Sequence, residues 1–443
     1  MLTFRILSRC ALVLCYSAIA ITGYAQQQLT IITSFPKDLT EIYKKAFESR
    51  NPGVKVEVLN RGTSAAIAFV REAPAGNRPD VFWASAPDAF EVLASANLLE
   101  KFSGANAAVP ATIGTYPIND PEGLYYGQAL AGYGLMWNTR YLKANKVPEP
   151  REWADLVKPE YFGHLAISAP SRSGTTHLTI ETILQGEGWE KGWNQILQFS
   201  GNCAAITERS FGVPDGVNNG QFGIGLVIDF FGLSAKASGF PVEFVYPSVT
   251  AIVPANIGLL AGGKNPDLGK KFIAFTLSED GQQLLLEPKI SRLPVLPAIY
   301  AKAPAGYPNP FGGKIQAKVK FDSNLSRSRY YVVNSLYDHA ITFRHKELVA
   351  ATKAIHEAAE KLARNPNPQA RKLLDEAREL AYSPLVSAQQ AADQDFLKLY
   401  TTTKRDALKT KQITALEEQW GQQARKNYTR AEELAKQAAA TAK

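Results

Sequence analysis

Histidine, cysteine and methionine are scarce in this 443-residue chain, at five, three and two copies, and long apolar runs are scarcer still. Only the N-terminus approaches the roughly 18 consecutive apolar residues needed to cross a bilayer. In MLTFRILSRCALVLCYSAIAITGYAQQQ, Arg5 and Arg9 precede a largely apolar run from Cys10 to Ile21, and Gly23-Tyr24-Ala25 supplies the small residues that a signal peptidase reads. Residues 1–25 are therefore expected to be a secretory signal peptide, with Gln26 as the mature start and the periplasm as destination. Neither Cys10 nor Cys15 follows a small residue, which argues against lipidation. Losing the leader leaves Cys203 alone, and a single cysteine excludes an intramolecular disulfide.

Other absences narrow the chemistry. His164, His177, His339, His345 and His356 fall in no metal-ligand spacing, and no G-x-S-x-G elbow occurs. The glycines of GQFGIG precede a strand instead of sitting between strand and helix, so they form no dinucleotide fingerprint. No activated nucleophile or metal set supports a secreted phosphate-ester hydrolase, and the expectation is a non-enzymatic protein without metal or cofactor. Charge of one sign is also lacking: residues 26–320 hold 27 Lys+Arg against 26 Asp+Glu, and residues 321–443 hold 20 against 15. Without a clustered basic and aromatic stripe, that surplus reads as a solvated helical surface, with no nucleic-acid partner.

What is present is an α/β rhythm. LTIITSFP opens a strand, and Leu39, Ile42, Tyr43, Ala46 and Phe47 form a helical stripe that stops at Asn51-Pro52-Gly53. VKVEVLN alternates as a strand, a second helix begins at Thr63 or Ser64, and RPDVFWAS gives a third strand, the order of a parallel sheet. Residues 123–138 read as extended chain, and a second α/β set follows: HLAISAP, APSRSGTTHLTIETILQ, GWEKGWNQILQFSG, CAAITERSF and GQFGIGLVIDF. VEFVYPSVTAIVPANIGLL runs extended again, and NPDLGKKFIAFTLSEDGQQLL predicts a helix pair. No glycine occurs between Lys314 and Trp420, which marks helical territory. Ile413, Leu416, Trp420, Ala424, Tyr428, Ala431, Leu434 and Ala438 recur three or four apart, a stripe that needs a surface to cover it, of its own domain or of a partner.

Hydroxyl residues stand where helices begin: Thr33-Ser34, Thr63-Ser64, Ser85, and the dense run Ser171, Arg172, Ser173, Gly174, Thr175 and Thr176. Free N–H groups and the positive end of the helix dipole make such junctions anion sites, although a single hydroxyl there is also an ordinary cap. Gly174 lets backbone approach a ligand closely. Arg172 either forks onto a phosphate or carboxylate or stays solvated, and His177 either donates to a ligand or packs. Glu208 and Asp229 suit acceptor roles toward hydroxyls or an amine, or serve as cap and salt-bridge partner.

RGTSAAIAFV, PDVFWAS, REWADLVKPEYFG and NPDLGKKFIAFTLSEDGQQLLLEP together resemble the periplasmic solute-binding proteins of ABC transporters over residues 29–300, within the ferric-ion, phosphonate and sugar-phosphate branch that includes phosphoglycerate and hexose-phosphate binders. The resemblance implies a type II periplasmic-binding-protein fold of class α/β, a Venus-flytrap whose two lobes are joined by hinge strands. Lobe one would be residues 26–130 and 254–320, lobe two 131–253, and 321–443 a helical C-terminal extension. It implies a small anionic ligand held between the lobes and an ABC permease in the inner membrane as partner, with a membrane sensor kinase as the partner of an alternative, signalling reading. Ferric binders of this branch carry adjacent tyrosines after the strand that corresponds to GIGLVI, where this chain has Asp229-Phe230-Phe231. Phosphate is therefore expected over iron, clamped by Thr33, Ser34, Thr63, Ser64 and Ser85 from one lobe and by Ser171–Thr176 from the other.

Overall fold

The computed structural model describes residues 27–104, 106–313, 315, 317–400 and 407–442, with side chains of the last helix from Thr410 on, so the expected leader lies outside the described residues. Lobe one opens with β1 (Gln27–Thr33), α1 (Lys37–Arg50), β2 (Val54–Asn60), α2 (Thr63–Glu72), β3 (Val81–Ala84) and α3 (Pro87–Ser95). Leu39, Tyr43 and Phe47 of α1 are buried at a spacing of four, as a one-faced helix requires. β3 is buried along its whole length, as a strand covered on both faces should be. A small hairpin, β4 (Thr112–Ile113) and β5 (Tyr116–Pro117), leads into β6 (Tyr126–Asn138), the longest strand.

Lobe two comprises α4 (Thr139–Asn145), β7 (Leu165–Ser168), α5 (Gly174–Glu187), α6 (Trp189–Gly201), β8 (Cys203–Thr207), α7 (Gly212–Asn218), β9 (Ile224–Ile228), α8 (Asp229–Ala237) and β10 (Val242–Val245). The expected short helix of REWADLVKPEYFG forms as two 3₁₀ turns, Trp153–Val157 and Pro159–Tyr161. β11 (Ile252–Leu259), α9 (Pro266–Leu277), α10 (Glu279–Gln283) and β12 (Leu293–Pro294) return to lobe one.

Strand order is β2-β1-β3-β11-β6-β9-β7-β8, with β10 and β12 also paired to β6. β6 joins the lobes because its partners change midway: residues 126–132 pair with β11, while Tyr133–Trp137 pair with β9. The chain crosses back between β10 and β11. In lobe one, β1 runs parallel to both β2 and β3 and lies between them; in lobe two, β7 does the same with β8 and β9. Each lobe thus has a topological switch point, the position where open α/β sheets bind ligands.

Among the described residues six α-helices follow: α11 (Ser323–Ala340), α12 (His345–Arg364), α13 (Pro368–Tyr382), α14 (Ala388–Ala392), α15 (Gln394–Tyr400) and α16 (Ala407–Thr441). The stripe read from the sequence buries Trp420, Ala424, Tyr428, Ala431, Leu434 and Ala438, and α16 packs chiefly on α12 and α13. The chain itself covers that face. The extension is continuous with the largest core, which also contains Phe90 and Leu93 of α3 and Leu178 and Ile180 of α5.

Candidate functional site

The chain ends of both switch points converge on one cavity. Thr33 turns the chain after β1, its Oγ1 accepting from the Phe35 N–H at 3.0 Å, so that Ser34, Phe35 and Pro36 face the cavity. Gly62 and Thr63 at the start of α2, and Ser85 after β3, complete that wall. The opposite wall comes from Arg172–Thr175 after β7, Arg209–Phe211 after β8, and Phe230-Phe231 after β9. The lobes are in contact here: Gly174 N–H donates to Thr63 Oγ1 at 3.2 Å, and Arg209 Nη2 donates to Asn60 Oδ1 at 3.2 Å. The free volume is about 20 Å³, room for a water.

Arg292 forms the floor, and hydroxyl-and-helix reasoning missed it. Its side chain is 1% exposed and held between two rings, with the guanidinium carbon 4.1 Å from the centroid of Phe35 and 3.8 Å from that of Phe230. Nη1 donates to Ser85 Oγ at 3.0 Å, while Nε and Nη2 are buried without a partner among the described residues. Burial pulls its pKa down to about 9, against the opposing pull of the Asp229 carboxylate. A buried cation with unmet donors is costly, and an anion supplying oxygens would offset both penalties at once. The available sequence signal was a lone charge inside the apolar run ISRLPVLP, away from any strand-to-helix junction.

The expected residues divide. Ser34, Thr63, Ser85, Arg172, Ser173, Gly174 and Thr175 line the cavity. Ser173 Oγ also caps α5 by accepting from Thr176 N–H at 3.1 Å, which occupies Thr176 in the helix itself. Ser171 Oγ is buried and unpartnered among the described residues but does not line the cavity.

Four expectations are corrected. Ser64 faces the extension, its Oγ 3.1 Å from the Tyr330 hydroxyl. His177 is wholly buried among Asp88, Ser326 and Asn334, because the first turn of α5 carries it around to the side away from the cleft. Glu208 is 79% exposed and pairs with Arg172 at the rim. Asp229 accepts from Gly132 N–H and Phe230 N–H, each at 2.7 Å, and from the Tyr246 hydroxyl at 2.9 Å, so both carboxylate oxygens are used within the protein. It ties the start of α8 to β6 and does not line the cavity.

The lining therefore offers three guanidiniums, from Arg172, Arg209 and Arg292, six hydroxyls and the N-termini of α2 and α5. Among the described residues it includes no carboxylate, imidazole or phenol. Such donors suit an oxyanion and not a hard cation, which needs anionic oxygen ligands. Tyr125 and Tyr126 are engaged elsewhere, with Glu91 and the Phe102 carbonyl. On the other side of Phe211, Phe230 and Phe231 lies a groove of about 820 Å³ between α1 and α7–α8, where Asp38, Glu41 and Asp215 carry acceptor oxygens.

Residues 77–313 match the family of bacterial extracellular solute-binding proteins. The chain is 30% identical over 355 residues to the phosphoglycerate transport regulatory protein PgtC of Salmonella typhimurium, spanning 79% of this chain and 85% of that protein. It superposes on the periplasmic binding protein AfuA from Actinobacillus pleuropneumoniae, solved with fructose-6-phosphate bound, with a TM-score of 0.64 at 20% identity over 72% of this chain and 99% of that one. Iron-bound HitA from Pseudomonas aeruginosa gives a TM-score of 0.56 at 19% identity, over 67% and 94%. At such identities these two structures establish the fold alone.

Proposed function

This chain belongs to the bacterial extracellular solute-binding proteins, and from that premise we propose that it captures a small phosphorylated or phosphonate organic anion between its lobes and delivers it to the permease of an ABC importer. It is a binding protein of the space outside the cytoplasm, and residues 1–25 are its export signal. The observation that carries the ligand class is Arg292, whose Nε and Nη2 are buried without partners among the described residues, in a cavity whose other polar lining consists of hydroxyls, backbone and two further arginines. A phosphate or phosphonate group presents three oxygens to such donors and gains strength from the low dielectric around them. The carboxylates of the adjoining groove would accept hydroxyls or an amine from the organic part. Phosphoglycerate is the first compound to try, since the relative from Salmonella typhimurium is named for its transport.

Isothermal titration with 3-phosphoglycerate, glucose 6-phosphate, 2-aminoethylphosphonate and ferric citrate tests this. At least one phosphorus compound should bind, and tight binding of iron alone would overturn the reading.

A second reading, a sensor subunit that reports ligand to a membrane kinase, is favoured by one observation. The similarity to the protein named as regulatory spans 79% of this chain, whereas residues 1–320 make up about 72% of it, so the similarity extends into the helical extension. Deleting the gene while expressing the transporter genes constitutively separates the two: lost uptake marks a transport receptor, and retained uptake with lost induction marks a sensor.

A further inference from the structure

Helix α11 lies across the seam between the lobes and bonds to both. Toward lobe one, Tyr330 meets Ser64 at 3.1 Å, the Tyr331 hydroxyl accepts from Arg71 Nη1 at 3.1 Å, Ser326 Oγ donates to Asp88 Oδ2 at 3.0 Å, and Arg327 Nη1 donates to Ser95 Oγ at 2.6 Å. Toward lobe two, Arg329 forks onto Glu181 with both bonds at 2.8 Å, and Asn334 Oδ1 lies 2.7 Å from His177 Nδ1. Just before the helix, Asp322 and Gln185 exchange bonds of 2.7 and 3.0 Å.

These contacts meet in a single buried knot. His177 of lobe two lies 3.1 Å from Asp88 of lobe one, and Ser326 of α11 touches both. Separating α3 from α5 would expose or strand Asp88, His177 and the Glu181–Arg329 pair, all of which are buried. Buried charged and polar groups resist losing their partners, so this side of the seam resists opening. The opposite side differs. There α1 and α9 belong to one core, α7 and α8 contribute to another, and the groove of about 820 Å³ lies between α1 and α7–α8.

We propose that α11 is a built-in clasp which holds the α2–α3 side of lobe one against the α5–α6 side of lobe two, so that the cleft opens, and ligand passes, only through the groove between α1 and α7–α8. Phe211, Phe230 and Phe231 border both groove and cavity and form the gate. The inference concerns which edge of the cleft moves and is independent of which anion binds.

Spin-label distance distributions on ligand-free, full-length mature protein test it. One labelled pair, Lys45→Cys with Ala237→Cys, spans the groove from α1 to α8; the other, Ala68→Cys with Lys191→Cys, spans the clasped side from α2 to α6, and all four positions are exposed. Cys203 is buried and will not take label under native conditions. The groove pair should give a distribution at least twice as wide as the clasped pair. Equal widths, whether both narrow or both broad, overturn the proposal. In the E181L/R329M variant, which removes the ion pair without stranding either charge, and separately in the milder Asn334→Ala, the clasped pair should broaden toward the groove pair. If it stays narrow in both while circular dichroism reports the parent fold, α11 is not the restraint and the proposal fails.

Discussion

Gly174 and Thr63 meet across the cleft: the first N–H of α5 in one lobe donates to the hydroxyl that begins α2 in the other, at 3.2 Å. A Cβ on residue 174 would stand 2.7 Å from the Cβ of Ala86 and 2.8 Å from Thr63 Oγ1. Gly174→Ala should therefore keep the lobes from closing fully and weaken ligand binding by more than about tenfold. That overlap lies beside Ala86 at the start of α3, on the side of the seam that α11 holds together, so the variant should also melt earlier than the parent. Titration calorimetry and a melting curve read the two effects, and unchanged affinity would mean that contact between the lobes is unimportant for binding.

Arg292→Met should abolish binding of a phosphorylated ligand, with at least about a hundredfold loss for removing a charged, forked contact. Replacing a buried, incompletely partnered charge by an apolar side chain is often neutral or stabilising by about 1–4 kcal/mol, so the variant should unfold no earlier than the parent. A structural arginine would give the opposite melting result.

Burial raises the Asp229 carboxyl from 3.8 to about 6, against the opposing bonds from Gly132, Tyr246 and Phe230. The folded state then binds more protons than the unfolded state between about pH 4 and 6, and this residue's contribution to stability falls as pH rises through that window. A rise of that size corresponds to about 3 kcal/mol. Asp229→Asn should be less stable overall and should lose that slope, as denaturant titrations at pH 4.5 and 7 on both proteins would reveal. An identical slope in the variant would exclude Asp229 as its source.

Glu181 is wholly buried, and although burial alone would raise its pKa, the Arg329 guanidinium keeps it below the ordinary carboxylate value. Arg329→Met leaves that carboxylate unpaired and should cost about 3–5 kcal/mol, whereas the double change E181L/R329M should recover most of the loss. Urea unfolding of the three proteins checks the ranking.

Protein recovered from the periplasm should have an intact mass that begins at Gln26, leaving Cys203 as its one thiol. Cys203 is buried, and its thiol should react with a disulfide reagent only after denaturation. Native reactivity would show that the α6–β8 region opens.

Alternation, helical periodicity and helix capping are local physics, so the order of strands and helices, the two α/β halves and the hydroxyl-rich junctions were legible in the linear chain. Ser34, Thr63, Ser85 and Ser173–Thr175 could be read for that reason. Arg292 could not: it reaches the cleft from a segment well over a hundred residues beyond the Ser171–Thr176 loop, and only folding puts it there. Folding likewise turned His177 and Ser64 toward α11, a helix that arrives long after both in the chain. Burial, and therefore whether a charge is met or unmet, depends on what packs against a residue from distant segments, and no short window of sequence contains that.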